Sequence, residues 1–224
     1  MEAKHPDLSC VDCGLCGCGA TEGHYPEFCL TTHLDENARE AALSCSLEPE
    51  NNRIAIAAAE VEYEGYGRCT RVEEIIRFAR KIGAEKLGIA ACVGLISEAR
   101  TLAKILRVNG FEVYGAACKV GAVPKTDIGI PEVCEKVGPT MCNPILQAEL
   151  LNRAGTDLNL VVGLCVGHDS LFYKYSEALC TTVVTKDRVL AHNPAAALYT
   201  TGSYYKRLLQ KQEDPEQHSS QSIK

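Results

Sequence analysis

Five thiols crowd the first 29 residues of the chain, Cys10, Cys13, Cys16, Cys18 and Cys29, in the spacing C-x2-C-x2-C-x-C-x10-C. A Cys-x2-Cys turn places two sulfurs on one ion without strain, and four thiolates complete either tetrahedral zinc or the ligand set of a cubane iron–sulfur cluster. One of the five is therefore surplus. The surrounding segment contains His24, His33 and several glycines but no sustained hydrophobic period, so a bound metal rather than an apolar core is expected to order it. Residues 1–34 are read as a small Cys-rich metal-binding module for an iron–sulfur cluster or zinc.

A second set of thiols stands at the ends of apolar runs: Cys92, Cys118 and Cys165. In an open parallel sheet the carboxyl ends of the strands form the ligand-binding edge, so three cysteines in that position would converge. Cys142, immediately before Asn143-Pro144, and Cys134 lie on a connection that crosses the same edge and could add a further ligand. Cys92, Cys118, Cys142 and Cys165 are thus the candidate cofactor-binding set, holding a cluster or acting as reactive thiols. His168 and Asp169 follow the run ending at Cys165, while Lys186, Arg188 and His192 follow the next strand. Cations there would suit a small anionic substrate or lower a thiol pKa, which makes these five the candidate catalytic residues. Cys45, Cys69 and Cys180 are assigned to packing.

These sites need elements to hold them. Helical spacing of Ala38, Ala41, Ala42 and Cys45, then of Ile54, Ala57, Ala58 and Val61, predicts two alanine-rich helices, the second after Asn51-Asn52. Thr70 and Glu73 form a capping box opening a third helix with Val72, Ile75, Ile76, Ala79 and Ile82 on one face. Strands are predicted over Leu87–Cys92, Phe111–Cys118, Leu158–Cys165 and Thr181–Thr185, separated by a helix through Ile96, Ala99, Ala103 and Leu106 and another opened by Asn143-Pro144. The stretch from Gly121 to Met141 reads as a long irregular connection, and Asn193-Pro194 as the start of a terminal helix. The predicted architecture is α/β: a mostly parallel, Rossmann-like sheet with flanking helices, preceded by the Cys-rich module. Its parts are the module at 1–34, a helical segment at 35–82 packing on the core, the α/β domain at 83–205, and a C-terminal helix end with a polar tail at 206–224.

Composition narrows the function. Thirteen cysteines follow an N-terminus with no apolar leader, which places the thiols in a reducing cytoplasm and favours metal or thiol chemistry over disulfide staples. A net charge of −6 argues against nucleic acid as a partner, and no apolar run approaches the length of a membrane span. There is no Walker loop, no G-x-G-x-x-G after a strand and no nucleophile elbow, so nucleotide binding and serine hydrolysis are unsupported.

The runs Gly163-Leu-Cys165-Val-Gly-His168-Asp169-Ser-Leu-Phe172 and Lys186-Asp187-Arg188-Val-Leu-Ala-His192-Asn193-Pro194 resemble the uncharacterised-domain family catalogued as number 1847. That resemblance implies a cysteine-rich metal-binding protein of the kind common in anaerobes. Its N-terminal pattern, C-x2-C-x4-C followed by P-x2-C, falls on Cys10, Cys13, Cys18 and Pro26-Glu-Phe-Cys29, leaving Cys16 as the extra thiol. Leu30 stands where the family tends to have a proline after the cysteine, and Cys18 comes too early to continue a bacterial ferredoxin run. Together these readings predict a redox or sulfur-handling metalloprotein with a redox partner or small anionic substrate. The alternative is a non-catalytic zinc-binding or metal-sensing protein whose α/β domain serves recognition.

Overall fold

The computed structural model describes residues 8–19 and 23–211, and the chain divides into two compact units, Met1–Glu60 and Val61–Lys224. In the first unit, short 3-10 turns at Cys10–Asp12 and Gly17–Gly19 carry the clustered cysteines. Helix α1 (Glu36–Leu47) starts where the Asp35 carboxylate accepts from the Asn37 amide at 3.1 Å. Helix α2 (Pro49–Gly65) begins at Pro49, so Asn51 and Asn52 lie in its first turn rather than ahead of it. Proline at the first helical position lacks only an amide that would have had no partner there.

The second unit is built on a four-stranded sheet ordered β2-β1-β3-β4, with every pairing parallel: β1 (Lys86–Ala91), β2 (Glu112–Ala117), β3 (Leu158–Val162) and β4 (Leu179–Val184). The central strands β1 and β3 are buried nearly throughout, whereas the edge strands β2 and β4 are mostly half-exposed. That is why the former read as nearly continuous apolar runs. Helix α3 (Arg71–Lys81) opens on the Thr70–Glu73 capping box and buries Ile75, Ile76 and Ala79. Arg80 at its far end donates to the Asn109 carbonyl at 3.1 Å, fastening α3 to the turn that follows α4 (Ile96–Val108).

Alternation along β1 sorts the two faces. Ile89 and Ala91 line a groove with Ala99, Ala103 and Lys104 of α4, while Ala90 packs with Ala148 and Leu151 of α5 (Pro144–Ala154) and Phe172 of α6 (His168–Tyr175). Helices therefore cover both faces. One polar residue is buried in β3: Asn159 accepts from the Thr156 hydroxyl and donates to the Ser176 hydroxyl, each at 2.8 Å. Gly88 on the neighbouring strand makes room for it, because a Cβ there would stand 1.9 Å from the Asn159 Oδ1.

Connectivity sets up the functional edge. The chain leaves β1 through α4 to the outer strand β2, then returns past β1 to β3 and continues outward through α6 to β4. The direction reverses between β1 and β3, and the crevice at such a reversal is where open α/β sheets bind ligands. The long connection from β2 to α5 is ordered by its own bonds: Pro124 bridges Thr140, the Lys125 amide donates to the Pro139 carbonyl at 3.0 Å, and the Met141 amide to Val123 at 2.9 Å.

Several elements differ from those expected, among them β4, which starts at Leu179 rather than Thr181. Strand β3 stops at Val162 because Gly163, at φ +61°, turns the chain out of the sheet, so Cys165 sits on the following loop. Helix α6 occupies a stretch for which no helix was expected; Phe172 is its one buried residue. The terminal helix α7 is short (Ala195–Tyr199), with Pro194 at its N-cap, and a 3-10 turn follows at Lys206–Leu209. The polar tail from residue 212 lies outside the described residues. No helix among the described residues is long and apolar enough to cross a membrane.

Candidate functional site

The carboxyl edge of the sheet gathers the second set of cysteines. The hydrogen-bond ladder runs one residue past β1 and β2, with the Cys92 amide donating to the Val162 carbonyl at 3.0 Å and the Cys118 amide to Ala91 at 2.8 Å. In register, Ala91 pairs with Ala117, so Cys92 and Cys118 come next and point to one face. Both are buried, within a cluster that includes Ala148, Leu151, Leu164 and Phe172.

Cys142 reaches the same place from the loop. The Asn143 amide donates to the Cys118 carbonyl at 2.8 Å, and the Asn143 side chain caps α5 by accepting from the Leu146 amide at 2.9 Å. One residue thus ties the loop to β2 and starts the helix, and half-buried Cys142 packs against the cluster. Cys165 arrives from the far side of the reversal: Gly163 turns out of β3, Leu164 is buried, and the Cys165 carbonyl accepts from the His168 amide at 2.9 Å to begin α6.

Cations are set against these sulfurs. Lys186 Nζ lies 3.4 Å from Cys92 Sγ and an Arg188 guanidinium nitrogen 3.0 Å from Cys165 Sγ. The loop that presents them is held tightly, since Asp187 Oδ1 accepts from the Val189 and Leu190 amides, each at 2.8 Å, and the Asp187 amide donates to His192 Nδ1 at 3.2 Å. Ala191 and His192 both adopt left-handed backbone, at φ 49° and 63°. For residues with a Cβ this conformation is costly and persists where surrounding bonds impose it.

Electrostatics separates the thiols. Cys142 is lowered to about 4, first by the thiol of Cys118 donating to its sulfur, then by a hydrogen bond from His168, with the Lys119 charge adding to the effect against partial burial. Cys118 is pushed well above the usual thiol range by that same bond to Cys142 and by burial, although the Val93 amide donates to its sulfur at 3.3 Å. The Arg188 guanidinium is held more firmly charged by its bond to Cys165.

Of the residues expected to do chemistry, Cys92, Cys118, Cys142, Cys165, His168, Lys186 and Arg188 are brought together. Asp169 and His192 are not among the sulfur contacts: the Asp169 carboxylate accepts from the Ser170 amide at 2.8 Å, and His192 braces the cation loop. Cys134 is exposed on the loop, and its carbonyl accepts from the buried Lys125 ammonium. Cys180 packs on the edge of the cluster, its thiol raised by burial.

Two contributors had escaped the sequence reading. Lys119 follows Cys118 directly and is anchored by its ammonium on the Thr140 carbonyl. Gln147, fully buried one helical turn after the Asn143 cap, donates to the Ala91 and Ala116 carbonyls at 3.1 and 2.7 Å beneath the cysteine-bearing strand ends. The adjacency of Lys119 to a strand-end cysteine was a usable signal. A glutamine on an apolar helix face was a weaker one.

In the N-terminal unit, Cys10, Cys13, Cys16, Cys18 and Cys29 all line one small cavity of about 120 Å³, with His24 also in its wall. Among the described residues, no group of three or more His, Cys, Asp or Glu side chains is already arranged to hold a metal ion. The donor set is nevertheless the soft sulfur and imidazole combination that zinc and iron select.

The family described as "Protein of unknown function (DUF1847)" matches residues 29–183. The chain belongs to that family. An uncharacterised protein of Methanocaldococcus jannaschii is 50% identical over 161 residues, which is 72% of this chain and 82% of that protein. The family match spans Cys29 and all four sheet-edge cysteines, while Lys186, Arg188 and His192 lie beyond it.

Proposed function

We propose that this protein carries out thiol-based redox or sulfur-handling chemistry at the carboxyl edge of its sheet, with a second, metal-binding site in the N-terminal module. The observation that carries the reading is the gathering of Cys92, Cys118 and Cys142 in one cluster, with Cys165 linked to it through Arg188, and with Lys186, Arg188 and His168 donating to three of the four sulfurs. A thiolate is the nucleophile in sulfur chemistry, and neighbouring cations are what populate it at neutral pH. Cysteines serving only as packing would not call for lysine and arginine partners.

Anaerobic labelling with iodoacetamide at pH 5.5, mapped by mass spectrometry, tests this. Cys142 should be modified ahead of Cys45 and Cys134, although those two are exposed. Edge thiols that trail both would remove the basis for a reactive site.

The N-terminal site fits zinc or an iron–sulfur cluster through Cys10, Cys13, Cys18 and Cys29, with Cys16 spare. A structural metal would supply ordering energy that this segment, whose Leu8, Val11, Leu15 and Leu30 are all exposed, does not gain from a buried core. Elemental analysis of anaerobically purified protein should find zinc or iron that is lost in the quadruple Cys→Ser variant. Brown protein identifies iron–sulfur and colourless protein zinc, and equal metal content in both proteins would refute the assignment.

A further inference from the structure

We infer that Cys142 and Cys118 form a dithiol–disulfide pair that reduces small anionic disulfides, Cys142 attacking and Cys118 resolving. This rests on the reactive-thiol reading above and assigns it a pair and a substrate class.

Position separates the two roles. Cys142 is half-buried at the edge and open to a substrate, whereas Cys118 is only 3% exposed and can reach no disulfide except one formed on its neighbour. The two are held side by side, because the Asn143 amide bonds the Cys118 carbonyl at 2.8 Å and Cys142 packs against the buried cluster that contains Cys118. Adjacent backbones with facing sulfurs are what a disulfide needs. The other two cysteines are engaged differently, Cys92 by Lys186 and Cys165 by Arg188, whereas Cys142 packs against the buried cluster that holds Cys118 and neither of these two is bonded to a lysine or arginine in the same way.

The exchange balances without an added oxidant. The Cys142 thiolate attacks one sulfur of R–S–S–R, forming a mixed disulfide and releasing RS⁻. Cys118 gives up its proton to the medium, its sulfur held by the Val93 amide at 3.3 Å, and attacks the Cys142 sulfur to expel the second RS⁻. The substrate gains two electrons, the two released thiolates take up protons, and the protein is left with one disulfide. An external dithiol reductant returns it to the starting state by the same exchange. Lys186, Arg188, Lys119 and His168 surround this edge, so a disulfide bearing carboxylates is drawn in and one bearing ammonium groups is repelled.

The sequence makes the test clean, since trypsin separates Cys92, Cys118, Cys142 and Cys165 into four different peptides. Fully reduced protein is treated with one equivalent of 3,3′-dithiodipropionate or, separately, of cystamine, then trapped with acid and mapped. The expected product with the anionic probe is a Cys118–Cys142 linkage. Cys118→Ser should stop at a mixed disulfide on Cys142, and Cys142→Ser should leave Cys118 unmodified. The anionic probe should react about tenfold faster than cystamine, and Arg188→Ala should reduce that ratio toward one. A linkage of Cys142 to Cys92 or Cys165, or accumulation of the mixed disulfide in the unmodified protein, would overturn the pair while leaving a reactive edge intact. Equal rates for the two probes would overturn the substrate class. If the edge thiols also trail Cys45 and Cys134 in the alkylation test, the reactive site and the pair fall together.

Discussion

The pH profile of Cys142 alkylation distinguishes a thiolate held by its surroundings from an ordinary buried thiol. An unperturbed cysteine titrates near 8.5, so its thiolate fraction climbs from about 0.1% at pH 5.5 to half at pH 8.5, a rise of roughly 500-fold. Cys142, lowered to about 4 by Cys118 and His168, is already almost wholly ionised at the lower value. Its rate should therefore change less than about twofold across that interval. Lower basicity also weakens the nucleophile: with a Brønsted slope of about 0.4–0.5, a gap of roughly 4.5 pKa units costs about 60–180-fold in intrinsic reactivity. Set against about 1,000-fold more thiolate at pH 5.5, Cys142 should outpace a free cysteine peptide by about 5–15-fold there and fall behind it above roughly pH 7. Stopped-time labelling with isotopically paired iodoacetamide, read on the tryptic peptide containing Cys142, gives both profiles in one sample. Cys118→Ala removes the first cause of the shift and should restore a rising profile. A Cys142 rate that climbs in parallel with the free peptide in the unmodified protein would refute the reasoning.

Other consequences follow from individual contacts. Gly163→Ala would place a Cβ 2.0 Å from Leu95 Cδ1 at φ +61°, so it should destabilise the protein by about 1–3 kcal/mol or more in urea unfolding and loosen the Cys165 turn. Thr70→Ala removes the capping box of α3 and should cost about 1 kcal/mol in the same assay, with no change in thiol reactivity. Asp187→Ala frees the Val189 and Leu190 amides, so it should narrow the rate difference between anionic and cationic disulfides while leaving the two-state unfolding transition in place.

Much of the sheet was readable because central strands of a parallel sheet have no solvent face. Leu87–Ala91 and Leu158–Val162 are apolar at nearly every position, and their boundaries erred by no more than a few residues. Capping chemistry was equally direct at Thr70–Glu73 and at Asn143-Pro144, where side-chain geometry is local and needs no tertiary partner. Helix α6 was not found because eight residues with one fully buried side chain carry too little periodicity to register. The start of α2, expected after Asn51-Asn52, lies at the proline two residues before that pair, because the apolar period begins only at Ile54 while the first turn is polar.

The sheet-edge thiols show how far strand logic can be carried. Cys92 and Cys118 were assignable because parallel strands of matched register end side by side, and parity then puts both sulfurs on one face. Cys165 reached the same edge by a different route, through the left-handed turn at Gly163, so its position depended on a backbone feature that a strand-end count does not contain. Cys142 depended on still more. Its place beside Cys118 is set by the Asn143 amide on the Cys118 carbonyl, closing a loop whose other fastenings are Pro124 to Thr140, Lys125 to Pro139 and Lys119 to Thr140. Each of those bonds joins residues well separated along the loop, so none of them is visible in a local pattern. The loop therefore does more than cross the edge: it delivers an accessible sulfur to an inaccessible one, with Lys119 at its start and His168 of α6 acting on that sulfur. A connection that served only to join β2 to α5 would have no reason to end in a cysteine held against a second cysteine by the cap of the next helix.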